Sequence, residues 1–292
     1  MATDNVDDKF RLMFAPDHWT ALGKLKAFLG PPFRDSRELQ NALQASVDRA
    51  RRFETLAALA NRLQPSLLED LEELERTGFT PAQRSSEFAA LIEVLLCELY
   101  AVLDALRYTL YWAYPTVRGV QKKSTSKLFS RASEGQYGED FPKEIVVMLK
   151  TAYNDWFLEL RRFRTELTHG GTGSCHIDKD SHRVKYIHSG LGSTHRALVI
   201  DDVVGKVNEL TGKVFVLMRG VGDYMYRQLR GEEKIQFCGI YKGRMYTRRV
   251  APSPDLTWQS GICDAKRWFE EKPEFHCPLA NRCEAYARAA KA

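Results

Sequence analysis

The sequence predicts a mainly α protein: a helical bundle that carries an inserted β-hairpin and ends in a small C-terminal cysteine-containing α/β appendage. Three observations lead there. Apolar residues recur at three- and four-residue steps through long stretches between residues 36 and 230. Two short β-branched runs, RVKYIH (183–188) and HRALVI (195–200), interrupt that period. Four of the six cysteines fall beyond residue 231, where the helical pattern stops. The chain divides on this reading into a bundle over 1–231 and an appendage over 232–292.

The elements follow in order. Asp35 and Glu38 frame a capping box that opens a helix over about 36–63, with Leu39, Leu43, Val47 and Ala50 on one face. Ser66 and Glu69 repeat the device after Pro65, and Thr80, Pro81 and Gln83 do so again with proline at the first helical position. That third start feeds a long helix ending near Tyr114-Pro115. Its run from 88 to 114 is apolar enough to suggest a membrane span, but Glu93, Glu98, Asp104 and Arg107 interrupt it, so it is assigned to the bundle. Glu98 shares a stripe with Leu91, Leu95, Val102 and Leu106, and a carboxylate there needs a partner. Arg164 is one candidate partner; an ordinary core ion pair is the other. Asp104 and Arg107, three residues apart, suggest a local salt bridge.

A polar, basic loop is expected over 118–140. Its Lys122, Lys123, Lys127 and Arg131 are candidate contacts for phosphates, or simply solvated charges. Pro142 then opens a helix whose Ile145, Leu149, Ala152, Trp156, Leu160, Phe163 and Leu167 form one apolar stripe. It ends in RRFRTELTHGG (161–171), with Arg164 at the edge of the buried face. The hairpin 183–200 follows, and Asp201-Asp202 cap a last long helix running to about Arg230. KIQFCGIY (234–241) and RMYTRRV (244–250), joined by Lys242-Gly243, predict a second hairpin.

An apolar share of 44%, a charged share of 28% and a net charge of +5 are ordinary for a globular protein, so any nucleic-acid contact has to come from local basic stretches. The opening MATDNVDDKF is acidic and unlike a signal peptide, which suggests a cytoplasmic protein with reduced cysteines. Cys97 sits in an apolar helix and reads as core. Cys238, Cys263, Cys277 and Cys283 concentrate in an appendage too small to bury much core, which predicts a structural metal site: zinc, with an iron–sulfur cluster as the alternative. The string CPLANRCEAY resembles the last two ligands of the iron–sulfur loop of some DNA glycosylases, although those have C-x2-C just upstream and this chain has thirteen residues back to Cys263. Thiols packed in a small β-rich module are the other reading.

RTELTH (164–169), an arginine and a histidine separated by four residues at the end of a bundle helix, resembles the motif of the HEPN superfamily. The likeness extends as a helical pattern over roughly 35–230, and a hairpin directly after a THG ending is similar to some bacterial HEPN subfamilies. What the resemblance implies is metal-independent cleavage of single-stranded RNA by a homodimer, in the role of a toxin or defence effector, with no cofactor for catalysis. Arg164 would clamp the scissile phosphate and His169 would act as general acid or base, leaving a 2′,3′-cyclic phosphate. Two positions depart from the pattern. Thr165 stands where the family commonly has Asn, and Gly171 where active members often carry Tyr. The alternative is a non-catalytic HEPN-like module that binds nucleic acid or protein. The same residues also read as a plain helix terminus, with arginines complementing the macrodipole and Gly170-Gly171 as the left-handed stop.

Overall fold

The computed structural model describes residues 10–120, 122–169, 171–193 and 196–289. They form a mainly helical protein with small antiparallel sheets. The chain divides into two compact units: Arg37–Val221, and the described parts of Met1–Ser36 and Gly222–Ala292.

The larger unit is built around α4 (Gln83–Ala113), against which α2 (Arg37–Leu63), α3 (Leu67–Thr77), α5 (Thr125–Ser133) and α7 (Leu158–His169) all pack. The sequence explains this central place. Phe88, Ile92, Leu95, Leu96, Leu99, Leu103, Leu106 and Leu110 are all buried, a stripe too wide for one neighbour to cover. Inside the α2–α4 contact Ser46 and Thr109 satisfy one another at 3.0 Å, so neither hydroxyl is buried unpaired. The start of α4 is capped from α3: the Asp70 carboxylate accepts from the backbone N–H of Ser85 at 2.7 Å. Ser66, by contrast, turns its hydroxyl back to the Leu63 carbonyl rather than capping α3.

Two expectations for the middle of the chain change. The basic stretch 118–140 is not a loop throughout. Ser124 accepts from the Lys127 N–H and starts α5, whose Leu128, Phe129 and Ala132 are buried against α6 (Lys143–Ala152) and the turn that follows it. The helix after Pro142 runs unbroken to His169 as expected, but not as a uniform α-helix. A π-helical turn, Tyr153–Phe157, separates α6 from α7. The extra residue in that turn rotates the helix face so that both Trp156 and Phe157 are buried. Phe157 stacks on Phe129 with centroids 3.9 Å apart and planes within 5°.

After α7 the chain forms a three-stranded sheet rather than a two-stranded hairpin: β2 (Ser174–Ile177), β3 (Val184–Ser193) and β4 (Arg196–Ile200), in that order. α8 (Val203–Arg227) then returns, with Phe215 against Phe53 of α2 at 6.0 Å. Among the described residues no helix is long and apolar enough to cross a membrane.

The smaller unit holds a four-stranded antiparallel sheet of β1 (Arg11–Leu12), β5 (Lys234–Tyr241), β6 (Arg244–Val250) and β7 (Ile262–Cys263), in the order β1-β5-β6-β7. The expected Lys242-Gly243 turn joins β5 to β6, both residues at positive φ (48° and 68°), as a two-residue hairpin turn requires. The appendage therefore extends beyond the expected 232–292. β1 pairs with β5, and Phe14 and Phe28, flanking the short α1 (Ala21–Ala27), share a core with Tyr226, Val250 and Leu256. Two short helices, α9 (Lys266–Glu271) and α10 (Glu284–Arg288), complete it.

Candidate functional site

Glu93, Cys97, Tyr100, Asp104 and Arg107 follow one another along α4 at four- and three-residue steps, which puts them on one face. α7 packs on α4 and brings Arg164 to this face. The Arg164 guanidinium carbon lies 5.6 Å from the centroid of the Tyr100 ring, within cation–π range. Tyr100 is buried and its other neighbour is Phe157, 6.0 Å away and 30° from parallel, so the ring is a fixed platform. Arg164 itself is exposed and makes no ion pair among the described residues. Burial raises the Tyr100 phenol above its ordinary value and the Asp104 carboxylate adds to the rise, while Arg161, Arg164 and Arg107 pull it down. Arg161, Arg164 and Arg107 thus gather around Tyr100, with Asp104 opposing them.

Arg107 is half-buried and its pKa is lowered by that burial, opposed by Asp104. Between the two stands Thr125 from the start of α5: its hydroxyl accepts from Arg107 Nε at 3.0 Å and donates to the Asp104 carboxylate. The expected direct salt bridge is thereby replaced by a hydroxyl that ties α5 to the α4 face.

The chain just after His169 is held by a second network. Glu93 Oε1 accepts from the Gly173 N–H at 2.7 Å and from the Tyr186 hydroxyl at 2.8 Å. His188 Nε2 donates to the Gly171 carbonyl at 2.5 Å. Gly173 lies flat on the Tyr186 ring, where a Cβ would come within 2.4 Å of Cζ, so no other residue fits without moving the ring. His188 is buried, 2% exposed, and fixes this loop.

The sequence-chosen residues fall in several places. His169 is the last residue of α7, and its side chain lies outside the described ones. Thr165 is exposed on α7. Glu98 does not meet Arg164. It is buried on the α2 side of α4, where Arg49 approaches at 3.0 Å and Arg52 at 3.3 Å. Long, exposed arginine stems on α2 reach it more easily than a side chain already laid over Tyr100. Lys122 sits over three rings near the end of α4, 5.2 Å from the Trp112 centroid and 6.0 Å from those of Tyr108 and Tyr111. Lys123 and Lys127 are exposed. Arg131 instead turns inward against Gly119, whose φ of +110° suits only glycine, and lines a cavity of about 330 Å³ with Arg118, Gln136 and Asp140. Sequence reading missed Arg161, Tyr100 and Glu93 as parts of this face. A signal was present, since polar residues at 93, 97, 100 and 104 share a period inside an apolar helix.

The four C-terminal cysteines do converge. Cys238, Cys263, Cys277 and Cys283 line one small enclosed cavity of about 20 Å³ in the smaller unit, all as free thiols. Among the described residues no three His, Cys, Asp or Glu side chains stand as a ready ligand group for one ion. No family model, curated protein or solved structure matches the chain.

Proposed function

We propose that the end of α7 and the α4 face beside it bind single-stranded RNA, and that the protein is a HEPN-like, metal-independent endoribonuclease. The observation that carries this reading is Arg164: an exposed guanidinium held over a fixed aromatic ring, with Arg161 near the same ring and no ion pair to Arg164 among the described residues. A guanidinium so placed presents two parallel N–H donors to a phosphate. In the reaction, His169 as general base takes the proton from a ribose 2′-hydroxyl. That oxygen attacks the adjacent phosphorus, the bond to the 5′-oxygen breaks, and the leaving oxygen is protonated by an imidazolium. Arg164 stabilises the charge that builds on the phosphoryl oxygens. Lys122 with Trp112, Tyr108 and Tyr111 supplies a further patch about 18 Å along α4, where bases stack and a phosphate pairs.

Five residues along a helix separate Arg164 and His169 by about 7.5 Å in height and roughly 140° around the axis. One copy therefore does not stack them on a single face, and the cleavage reading draws both groups from a homodimer. The same geometry, with Thr165 and Gly171, favours the second reading, RNA binding without cleavage. The test is incubation of the purified chain with single-stranded RNA in EDTA. Cleavage is expected to leave 2′,3′-cyclic phosphate ends and to fall at least ~100-fold in Arg164→Ala and in His169→Ala. Binding without turnover supports the second reading; cleavage unchanged in both variants, or no RNA affinity, refutes the site.

A further inference from the structure

We propose that Cys238, Cys263, Cys277 and Cys283 together hold a metal centre of the thiophilic kind, a zinc ion or an iron–sulfur cluster, that staples the smaller unit. Three features of the structure support it. First, elements far apart in sequence deliver the four thiols to one cavity. Cys238 is the extra residue of a β-bulge in β5, where pairing slips between Phe237 and Gly239. A bulge re-aims the side chain it carries, and the N–H groups of Met13 and Phe14 fix this one by donating to the Cys238 carbonyl at 2.9 and 3.0 Å. Cys263 ends β7, Cys277 opens a turn closed by the Ala280 N–H on its carbonyl at 3.0 Å, and Cys283 caps α10.

Second, a hydrogen-bond donor points at one of the sulfurs: Arg248 Nη2 stands 2.9 Å from Cys238 Sγ. A donor aimed at a ligating sulfur is the kind of outer-layer contact that tunes a metal centre.

Third, Arg248 is a buried cation in need of an anion. It is 1% exposed; among the described residues its partners are the Trp258 and Ser260 carbonyls, at 2.6 and 2.9 Å, the Cys238 sulfur and the Phe14 ring, and its Nε has no hydrogen-bond partner there. A permanent charge is costly to bury uncompensated. Four thiolates around a divalent ion or a cluster carry net negative charge, which supplies the missing counterpart.

The test uses the full chain purified without air. Elemental analysis and the visible spectrum distinguish the two forms: a colourless chain with stoichiometric zinc, or a brown chain with iron and acid-labile sulfide. Either outcome supports the proposal. Titrating the wild type with an organomercurial is expected to release the metal as four thiols are blocked, a readout independent of whether any variant folds. Cys277→Ser and Cys283→Ser are expected to lose the metal, and Cys97→Ser to keep it. A folded chain that is metal-free and takes up neither added zinc nor iron with sulfide overturns the proposal, as does metal content unchanged in Cys277→Ser and Cys283→Ser.

Discussion

Glu93 joins α4 to the loop behind His169, and the consequences of disturbing it can be worked out in advance. Its Oε1 takes two donors, the Gly173 N–H at 2.7 Å and the Tyr186 hydroxyl at 2.8 Å. Tyr186→Phe removes one charge-assisted bond but leaves the carboxylate with the other, so the cost falls near the low end of the range for bonds to charged groups, about 1.5 kcal/mol. Glu93→Ala is worse. Tyr186 is fully buried, so its hydroxyl is left without an acceptor, and the Gly173 N–H loses its partner too. Glu93 is itself half-buried, so water relieves part of this, and the sum is about 2–3 kcal/mol. Adding Tyr186→Phe to Glu93→Ala deletes the orphaned hydroxyl and should cost almost nothing more. At about 2–4 °C per kcal/mol for a domain of this size, the melting temperature should fall by roughly 3–6 °C in Tyr186→Phe and further in Glu93→Ala. The double variant should match Glu93→Ala within a degree or so. Thermal melting followed by circular dichroism reads all three. Strictly additive losses, or a Tyr186→Phe variant that melts with the wild type, would refute the network.

Other perturbations have equally definite outcomes. Glu98 and its arginines should respond asymmetrically: Glu98→Ala frees two exposed guanidinium groups to solvent and costs about 1–2 kcal/mol, whereas removing both Arg49 and Arg52 leaves a buried carboxylate unpaired and costs about 3–5 kcal/mol, as urea melts would show. Burial holds the Cys175 thiol up to about 12, aided by Glu93, against an ordinary 9.0. The unfolded chain therefore loses this proton first, so its contribution to stability is intact below pH 9 and declines from there to about 12, by at most ~1.4 kcal/mol per pH unit. Subtracting the Cys175→Ala profile isolates it, and a difference that does not change with pH contradicts the assignment. Phe157→Ala removes a ring stacked at 3.9 Å on Phe129 and should destabilise by about 3–5 kcal/mol, with denaturant midpoint as the measure.

The sequence marked those elements whose signals are local. Apolar spacing placed the long helices, although Ser66 does not cap α3 and Pro81 lies ahead of the first turn of α4 rather than in it. Lys242-Gly243 placed the β5–β6 turn, and the crowding of cysteines beyond residue 231 pointed to their shared cavity. What it hid depends on contacts between distant segments. α5 lies inside a basic stretch and is a helix because Leu128 and Phe129 find α6 and Phe157. β1 pairs with β5 across more than two hundred residues, with no local mark in two residues of strand. The π-helical turn has no sequence signature, yet it decides that Phe157 as well as Trp156 faces inward. Glu98 announced that it needed a partner, but Arg49 and Arg52 look like any solvated charges on α2. For the candidate site, Arg164 and His169 stood out by spacing. Tyr100 and Arg161 became visible only once α7 was laid against α4.

The account rests most directly on Arg164 and His169 acting on a phosphodiester. The decisive measurement is end-labelled single-stranded RNA incubated in EDTA with wild type, Arg164→Lys and His169→Ala, with product ends resolved. The account predicts 2′,3′-cyclic phosphate ends with the wild type, a sharp loss in Arg164→Lys because an ammonium lacks the planar double donor, and none with His169→Ala. Cleavage that is equal in all three, or that stops when metal is chelated, contradicts it.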